Sequence, residues 1–283
     1  MKRVLSVQSL SCLGRCSLTV ALPVLSAMGC ECSVLPTALL STHTAFPTPH
    51  IHSLTGDMDA ICKHWQTIGT RFDALSVGYL SDPAQAAAVE RLIGHFGCLV
   101  ILDPAMGDHG TLYRGITREH VLAMERLCRK SHILLPNITE AAMLTGLPYQ
   151  EEHDPAYLQE LTAGLLSLGA EAVILTGVSL QPDSVGFFSQ KANAAPFLYQ
   201  AEKLPKSFHG TGDLFSAVVA GGIVTGKTLR QAAQLAAGFV ERSISATGEV
   251  TPYGVEFETQ LPWLWQQLQS NSQTACTNLC PGF

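Results

Sequence analysis

Charge is scarce in this chain, and long apolar runs are missing. Asp, Glu, Lys and Arg together make up 14% of the 283 residues, with a net charge of -6 and no long basic run. A nucleic-acid partner needs clustered positive charge to neutralise phosphates, so that class is set aside. No apolar stretch reaches the roughly 18 residues of a membrane span. Lys2-Arg3 and the hydrophobic stretch ending near Ala27-Met28-Gly29-Cys30 imitate a secretory signal, but Gln8, Ser9, Ser11 and Arg15 interrupt it, and we expect no export. Aromatics are few, at 7%. What is abundant is ordinary globular composition, 47% hydrophobic, and the length is within range for one large α/β domain with a substantial core.

Nine cysteines are present, an odd number scattered through apolar segments of a chain too long to need disulfide staples, which implies a reducing compartment, the cytoplasm. The pairs Cys12/Cys16, Cys30/Cys32 and Cys276/Cys280 lack a matched second pair and histidines at zinc-site spacing.

Apolar periodicity alternates between strand and helix along the chain. Val4 to Val7 predicts a strand, Ser9 to Gly14 a polar turn, and Leu18, Leu22, Leu25 and Met28 a helix, followed by a strand at Val34 to Leu40. The stretch 41–55 is rich in His and Pro (His43, Pro47, Pro49, His50, His52) and reads as a flap or a solvated connection. Strands at Ala74 to Val77, Cys98 to Leu102, His132 to Leu135 and Ala172 to Leu175 follow. Between and around them lie helices at 83–96, 118–129, 139–144 and 155–168. Val185 to Phe188 and Phe197 to Gln200 predict an edge hairpin, and helices at 213–224, 228–246 and 256–269 finish the domain, taken as 1–269. The polar tail 270–283 is expected to be mobile. Strands separated by helices imply a three-layer α/β/α fold around a mostly parallel sheet, with its ligand crevice at the strands' C-terminal ends. There stand Ser9, Tyr79, Asp103, Asn137 with Glu140, and Thr176.

The segment Gly210-Thr211-Gly212-Asp213 opens the helix that begins Leu214-Phe215. Bare amides at a helix start, with the positive end of its dipole, suit an anion that is gaining charge. An aspartate at that place serves as an N-cap or as a base beside a phosphate cradle. By contrast, Gly221-Gly222-Ile223-Val224-Thr225-Gly226-Lys227-Thr228 fits the P-loop pattern but follows a helix rather than a strand. We expect a helix–helix connection there, with Gly226 at the C-cap and Thr228 at an N-cap.

A kinase for a small hydroxylated molecule needs a base, N–H donors for the moving phosphoryl and a metal for the nucleotide phosphates. Asp213 supplies the first and the amides of Gly210 to Asp213 the second. Asp103 and Glu140, carboxylates at adjacent strand ends, suit Mg²⁺ directly or through water. With the motifs Ser41-Thr42-His43-Thr44, Gly78-Tyr79-Leu80, Asp103-Pro104-Ala105-Met106-Gly107-Asp108, Pro136-Asn137-Ile138-Thr139-Glu140 and Gly210-Thr211-Gly212-Asp213, the chain resembles the ribokinase-like superfamily, most closely its pyridoxal/pyridoxamine kinase branch.

The resemblance implies ATP-dependent phosphorylation of the 5′-hydroxymethyl group of a vitamin B6 compound, with Asp213 as base and Asp103, Asn137 and Glu140 organising Mg-ATP. It places Asp108, Thr176 and Thr211 near the nucleotide phosphates and Ser9, His43, Thr44 and Tyr79 around the pyridine ring. It also implies a monovalent cation such as K⁺ and a homodimer. Two departures stand out: Ser17-Leu18, where many pyridoxal kinases carry Gly-Asn, and Ala45-Phe46-Pro47 after Thr44. Alternatives are a hydroxymethylpyrimidine kinase of the same superfamily and a non-catalytic B6-binding or carrier protein. A sugar or nucleoside kinase is disfavoured, because the early lid segment of that branch is missing.

Overall fold

In the first strand, β1 (Lys2–Ser11), successive side chains go to opposite faces, so Leu5 and Val7 join the core on one side of the sheet and Val4 the core on the other. The computed structural model that establishes this describes residues 1–248 and 252–277. After β1 come α1 (Leu18–Ala27), β2 (Cys30–Leu40), β3 (Ile51–Ser53), α2 (Thr55–Thr67), β4 (Ala74–Val77), α3 (Gln85–Phe96) and β5 (Leu99–Leu102). A small hairpin, β6 (Gly107–Asp108) and β7 (Thr111–Leu112), precedes α4 (Arg118–Cys128), β8 (Ile133–Leu134), α5 (Ile138–Thr145) and α6 (Pro155–Ser167). The chain continues through β9 (Ala172–Val178), β10 (Ser184–Lys191), β11 (Phe197–Glu202), α7 (Thr211–Val224), α8 (Leu229–Ala246) and α9 (Leu261–Thr277).

The large sheet has the order β11-β10-β9-β8-β5-β4-β1-β2-β3. From β9 to β2 every pairing is parallel, while β3, β10 and β11 pair antiparallel at the two margins, as the expected edge hairpin requires. Helices α2 to α6 cover one face and α1, α7, α8 and α9 the other, which gives the three layers. Alternation along β9 serves both cores, with Val173 and Leu175 on one side and Ala172 and Ile174 on the other. The chain leaves β1 for β2 on one side and returns to β4 on the other. That reversal opens a crevice at the C-terminal end of β1.

Several expectations change in detail. Ser9 and Ser11 lie within β1, not in a turn; the polar groups are tolerated because they pair, Gln8 Nε2 with Ser6 Oγ at 3.2 Å and Ser9 Oγ with Ser17 Oγ at 3.2 Å. Part of the flap is the exposed strand β3, which continues the sheet beyond β2, and the Ser41 amide donates to the His50 carbonyl at 2.9 Å to close the loop between them. Helix α2 was not foreseen, since only Met58 and Cys62 of it are buried, too thin an apolar stripe to register. The last helix starts at Leu261 rather than 256, after a short 3-10 turn at Glu258–Gln260, and Val255 and Phe257 are buried from the irregular segment before it. It runs on to Thr277, so the polar segment from 270 continues the helix; 278–283, the end of the expected mobile tail, lies outside the described residues.

The P-loop look-alike is a helix–helix junction, as expected from its context. Gly226 takes φ +96° just past α7, and the Thr228 side chain accepts the Gln231 amide at the start of α8. Gly221 is there for packing: a Cβ on it would press on Met28 Sδ at 2.5 Å. Among the described residues no helix is long and apolar enough to cross a membrane.

Candidate active site

The C-terminal ends of β1, β4, β5, β8 and β9 and the N-terminus of α7 enclose a cavity of about 470 Å³. Every residue singled out from the sequence lines it. Ser9, His43, Thr44 and Tyr79 do so, as do Asp103, Asp108, Asn137, Glu140 and Thr176, together with Gly210, Thr211, Gly212 and Asp213.

The anion loop is fixed from below. Phe208 is buried in the core beneath it, and Gly210 takes φ +83°, pressed so closely on the Arg15 carbonyl that a Cβ could not be accommodated. Gly210 is the N-cap of α7, and no side chain caps the helix. Asp213 therefore occupies the third helical position and is not a cap. The first-turn amides keep their donors for the cavity, where the helix dipole adds positive potential. Gly212 differs from Gly210, because a Cβ there meets no protein atom within 4 Å. Among the described residues nothing fills the space a Cβ would take there, so the backbone is open to close approach from the cavity. The Asp213 carboxylate accepts the Ser17 amide; burial nevertheless pushes its pKa up to about 6, with that hydrogen bond opposing the rise.

Close to Asp213, Asp103, just past the end of β5, accepts a hydrogen bond from the Ser216 hydroxyl. Ser216 lies one turn beyond Asp213 on α7, so one helix carries both Asp213 and the hydroxyl that holds the neighbouring Asp103. Burial raises the Asp103 pKa to about 7; the Ser216 bond opposes the rise and the Asp213 charge adds to it. Glu140 is buried and held by backbone donors. Its Oε1 accepts from the Met106 amide at 2.9 Å and its Oε2 from the Asn137 amide at 2.9 Å. Asn137 returns the contact by accepting the Glu140 amide at 2.9 Å, a capping box on α5, and donates through Nδ2 to the Gly107 carbonyl at 2.8 Å. Burial, then the nearby Asp103, push the Glu140 pKa well up against these donors. Thr176 is anchored by its amide to the Pro136 carbonyl at 2.9 Å, and Asp108 stands exposed on the β6–β7 hairpin.

Ser9, His43, Thr44 and Tyr79 line the same cavity, His43 and Thr44 from the flap segment. His43 is buried; its Nε2–H donates to the Pro252 carbonyl at 2.7 Å, and its ring stacks on His209 at 3.8 Å between centroids. Burial, with His43 beside it, pushes the His209 pKa down to about 4, so the stack is uncharged on that side near neutrality. Phe46 packs against His43 at 4.7 Å and against Tyr253 at 5.7 Å. The flap thus rests directly on the anion loop. Thr37 Oγ1 donates to the Tyr79 carbonyl at 2.9 Å and fixes the Gly78-Tyr79-Leu80 turn, while burial raises the Tyr79 phenol.

Sequence reasoning missed Ser216, His209 and Lys206, and met Ser17 only as a departure from the family's glycine. Helical spacing from Asp213 could have flagged Ser216. The others depend on contacts between distant segments; Lys206, for instance, donates to the carbonyls of Thr247 at 3.0 Å and Gly248 at 2.7 Å at the end of α8. Among the described residues no group of three or more His, Cys, Asp or Glu could hold a metal ion. A pair of carboxylates, Asp103 and Glu140, still fits a hydrated Mg²⁺ that arrives with nucleotide phosphates, because that ion retains several waters.

The sequence pattern of the phosphomethylpyrimidine kinase family matches residues 22–256. A pyridoxine/pyridoxal/pyridoxamine kinase of Bordetella avium is 31% identical over 261 residues, covering 86% of this chain and 85% of the relative. The pyridoxal kinase structure from Lactobacillus plantarum superposes with TM-score 0.88 at 30% identity, over 95% of this chain and 99% of that one. A Bacteroides thetaiotaomicron protein, provisionally described as a phosphomethylpyrimidine kinase and solved in a form with pyridoxal, has TM-score 0.88 at 32% identity, over 95% and 96%. The chain belongs to the phosphomethylpyrimidine kinase family and stands with the pyridoxal kinases of the ribokinase-like superfamily, as an ATP-dependent kinase.

Proposed function

We propose that this kinase transfers the γ-phosphoryl group of ATP to the 5′-hydroxymethyl group of a B6 vitamer, with Asp213 as general base. One observation carries the proposal: Asp213 sits inside the first turn of an uncapped helix, on the same cavity as the ring-side residues Ser9, His43, Thr44 and Tyr79. The acceptor oxygen attacks the γ-phosphorus as its proton passes to the Asp213 carboxylate, and the bond to the β-phosphate oxygen breaks to release ADP. The amides of Gly210 to Asp213 hold the phosphoryl oxygens where charge develops. Thr176, Thr211, Asp108 and Asn137 bind the nucleotide. Asp103 and Glu140 would hold Mg²⁺ through its waters, and the ion, when bound, supplies charge neutralisation for the phosphates. No step is assigned to the K⁺ that the resemblance implies. The cytoplasm and a homodimer complete the proposal; the seven cysteines whose side chains are described are all free, in keeping with a reducing compartment.

The family description favours a second reading, hydroxymethylpyrimidine as acceptor, with the same base and anion loop. One screen separates the two. ATP consumption is measured with Mg²⁺ and pyridoxal, pyridoxamine, pyridoxine or hydroxymethylpyrimidine. Turnover with a B6 vitamer at the higher kcat/KM is expected; turnover with the pyrimidine alone would replace this proposal with the second reading, and turnover with none would reject both.

A further inference from the structure

We infer that Ser17 is a substrate-binding residue, whose hydroxyl joins that of Ser9 to bind a hydrogen-bond acceptor on the ring of the acceptor substrate. The inference rests on the proposal that the substrate is a heteroaromatic alcohol.

Ser17 has φ +49° and ψ -123°, a backbone conformation that glycine adopts freely and that a residue with a Cβ adopts only under strain. Its backbone has two tasks. The amide donates to Asp213, and the carbonyl accepts the amides of Val20 at 3.0 Å and Ala21 at 2.8 Å at the start of α1. Glycine would perform both without strain. The usual structural reason for a serine before a helix is an N-cap bond from its side chain, and Ser17 makes none.

What the side chain does instead is turn toward the cavity. It is 6% exposed, lines the cavity with Ser9, and accepts the Ser9 hydroxyl at 3.2 Å. A hydroxyl that accepts from one neighbour still has its own proton to give, and among the described residues no acceptor takes it. The pair therefore presents a donor to the cavity that Tyr79 and His43 also line, beside the proposed base Asp213. Its fitting partner is a ring nitrogen or phenolic oxygen, which the three B6 vitamers have in common.

The test uses the whole enzyme and two variants, Ser17→Ala, which retains the strain and loses the hydroxyl, and Ser17→Gly, which loses both. Vitamer KM, ATP KM, kcat and Tm are measured, with vitamer Kd by calorimetry. Removing one such hydrogen bond is expected to raise vitamer KM and Kd roughly two- to tenfold in both variants, similarly for all three vitamers. The ATP KM should hold and kcat should change less than vitamer KM. Tm should rise in Ser17→Gly alone, by a few degrees. Unchanged vitamer Kd in both variants would overturn the inference. A wild-type enzyme that binds no vitamer would instead overturn the substrate reading beneath it.

Discussion

The two ends of the cavity are built from different materials. At the proposed phosphate end the wall is backbone: the uncapped amides of α7, a glycine seated against the Arg15 carbonyl, and a glutamate gripped by the amides of Met106 and Asn137. At the proposed ring end it is side chains from separate segments, with Ser9 on β1, Ser17 before α1, Tyr79 after β4, and His43 stacked on His209. A phosphate looks the same in every nucleotide and can be met by a fixed lattice of N–H groups. A ring with variable substituents is met by exchangeable hydroxyls and aromatics. Damage at the phosphate end should therefore fall on turnover and folding, and damage at the ring end on KM.

The largest effect is expected from Asp213→Asn. Loss of the base should lower kcat by roughly a hundred- to ten-thousandfold, with little change in vitamer Kd. The same variant should be more stable than the wild type. The Asp213 pKa is about 6 when folded, above its ordinary 3.8, so the wild type gives up stability as pH rises between those values. The variant does not, and its higher Tm should appear at pH 7–8 and vanish near pH 4. Gly210→Ala and Gly212→Ala form the next contrast. The first must displace the Arg15 carbonyl and distort a positive-φ position, and should lower Tm and activity together. The second meets no protein atom, and should leave Tm within about a degree while raising the ATP KM and lowering kcat. Equal Tm losses in the two variants would break the assignment of Gly212 to the ligand.

Glu140→Gln follows, since an amide NH₂ cannot accept from both backbone donors. Leaving one buried donor unpaired costs about 1–3 kcal/mol, read as several degrees of Tm. The smallest effect is expected at the ring end. His43→Ala removes a stacking face and should raise vitamer KM several-fold, with kcat within about twofold.

This contrast also explains what was legible in the sequence. The phosphate end is encoded by short spacings, such as Gly210 to Asp213 and Asn137 to Glu140, because a loop and the first turn of its helix are local objects. The sheet was legible for the same reason: alternation in β1 and β9 is written into neighbouring residues. Helix α2 was not, because its two buried residues, Met58 and Cys62, make a single helical step. Ser17 was noticed only as a departure from a glycine, since its strain appears only once the chain turns back on α7. His209 escaped notice as a site residue because its partner, His43, comes from the flap.

The central claim, that Asp213 is the base, is tested most directly by the pH dependence of kcat in the wild type beside Asp213→Asn. A base must be ionised, so the wild-type rate should rise with pH through about 6 and level off above it, while the variant's residual rate stays flat across that range. The same limb near pH 6 in both proteins, or a variant as fast as the wild type, would contradict the account.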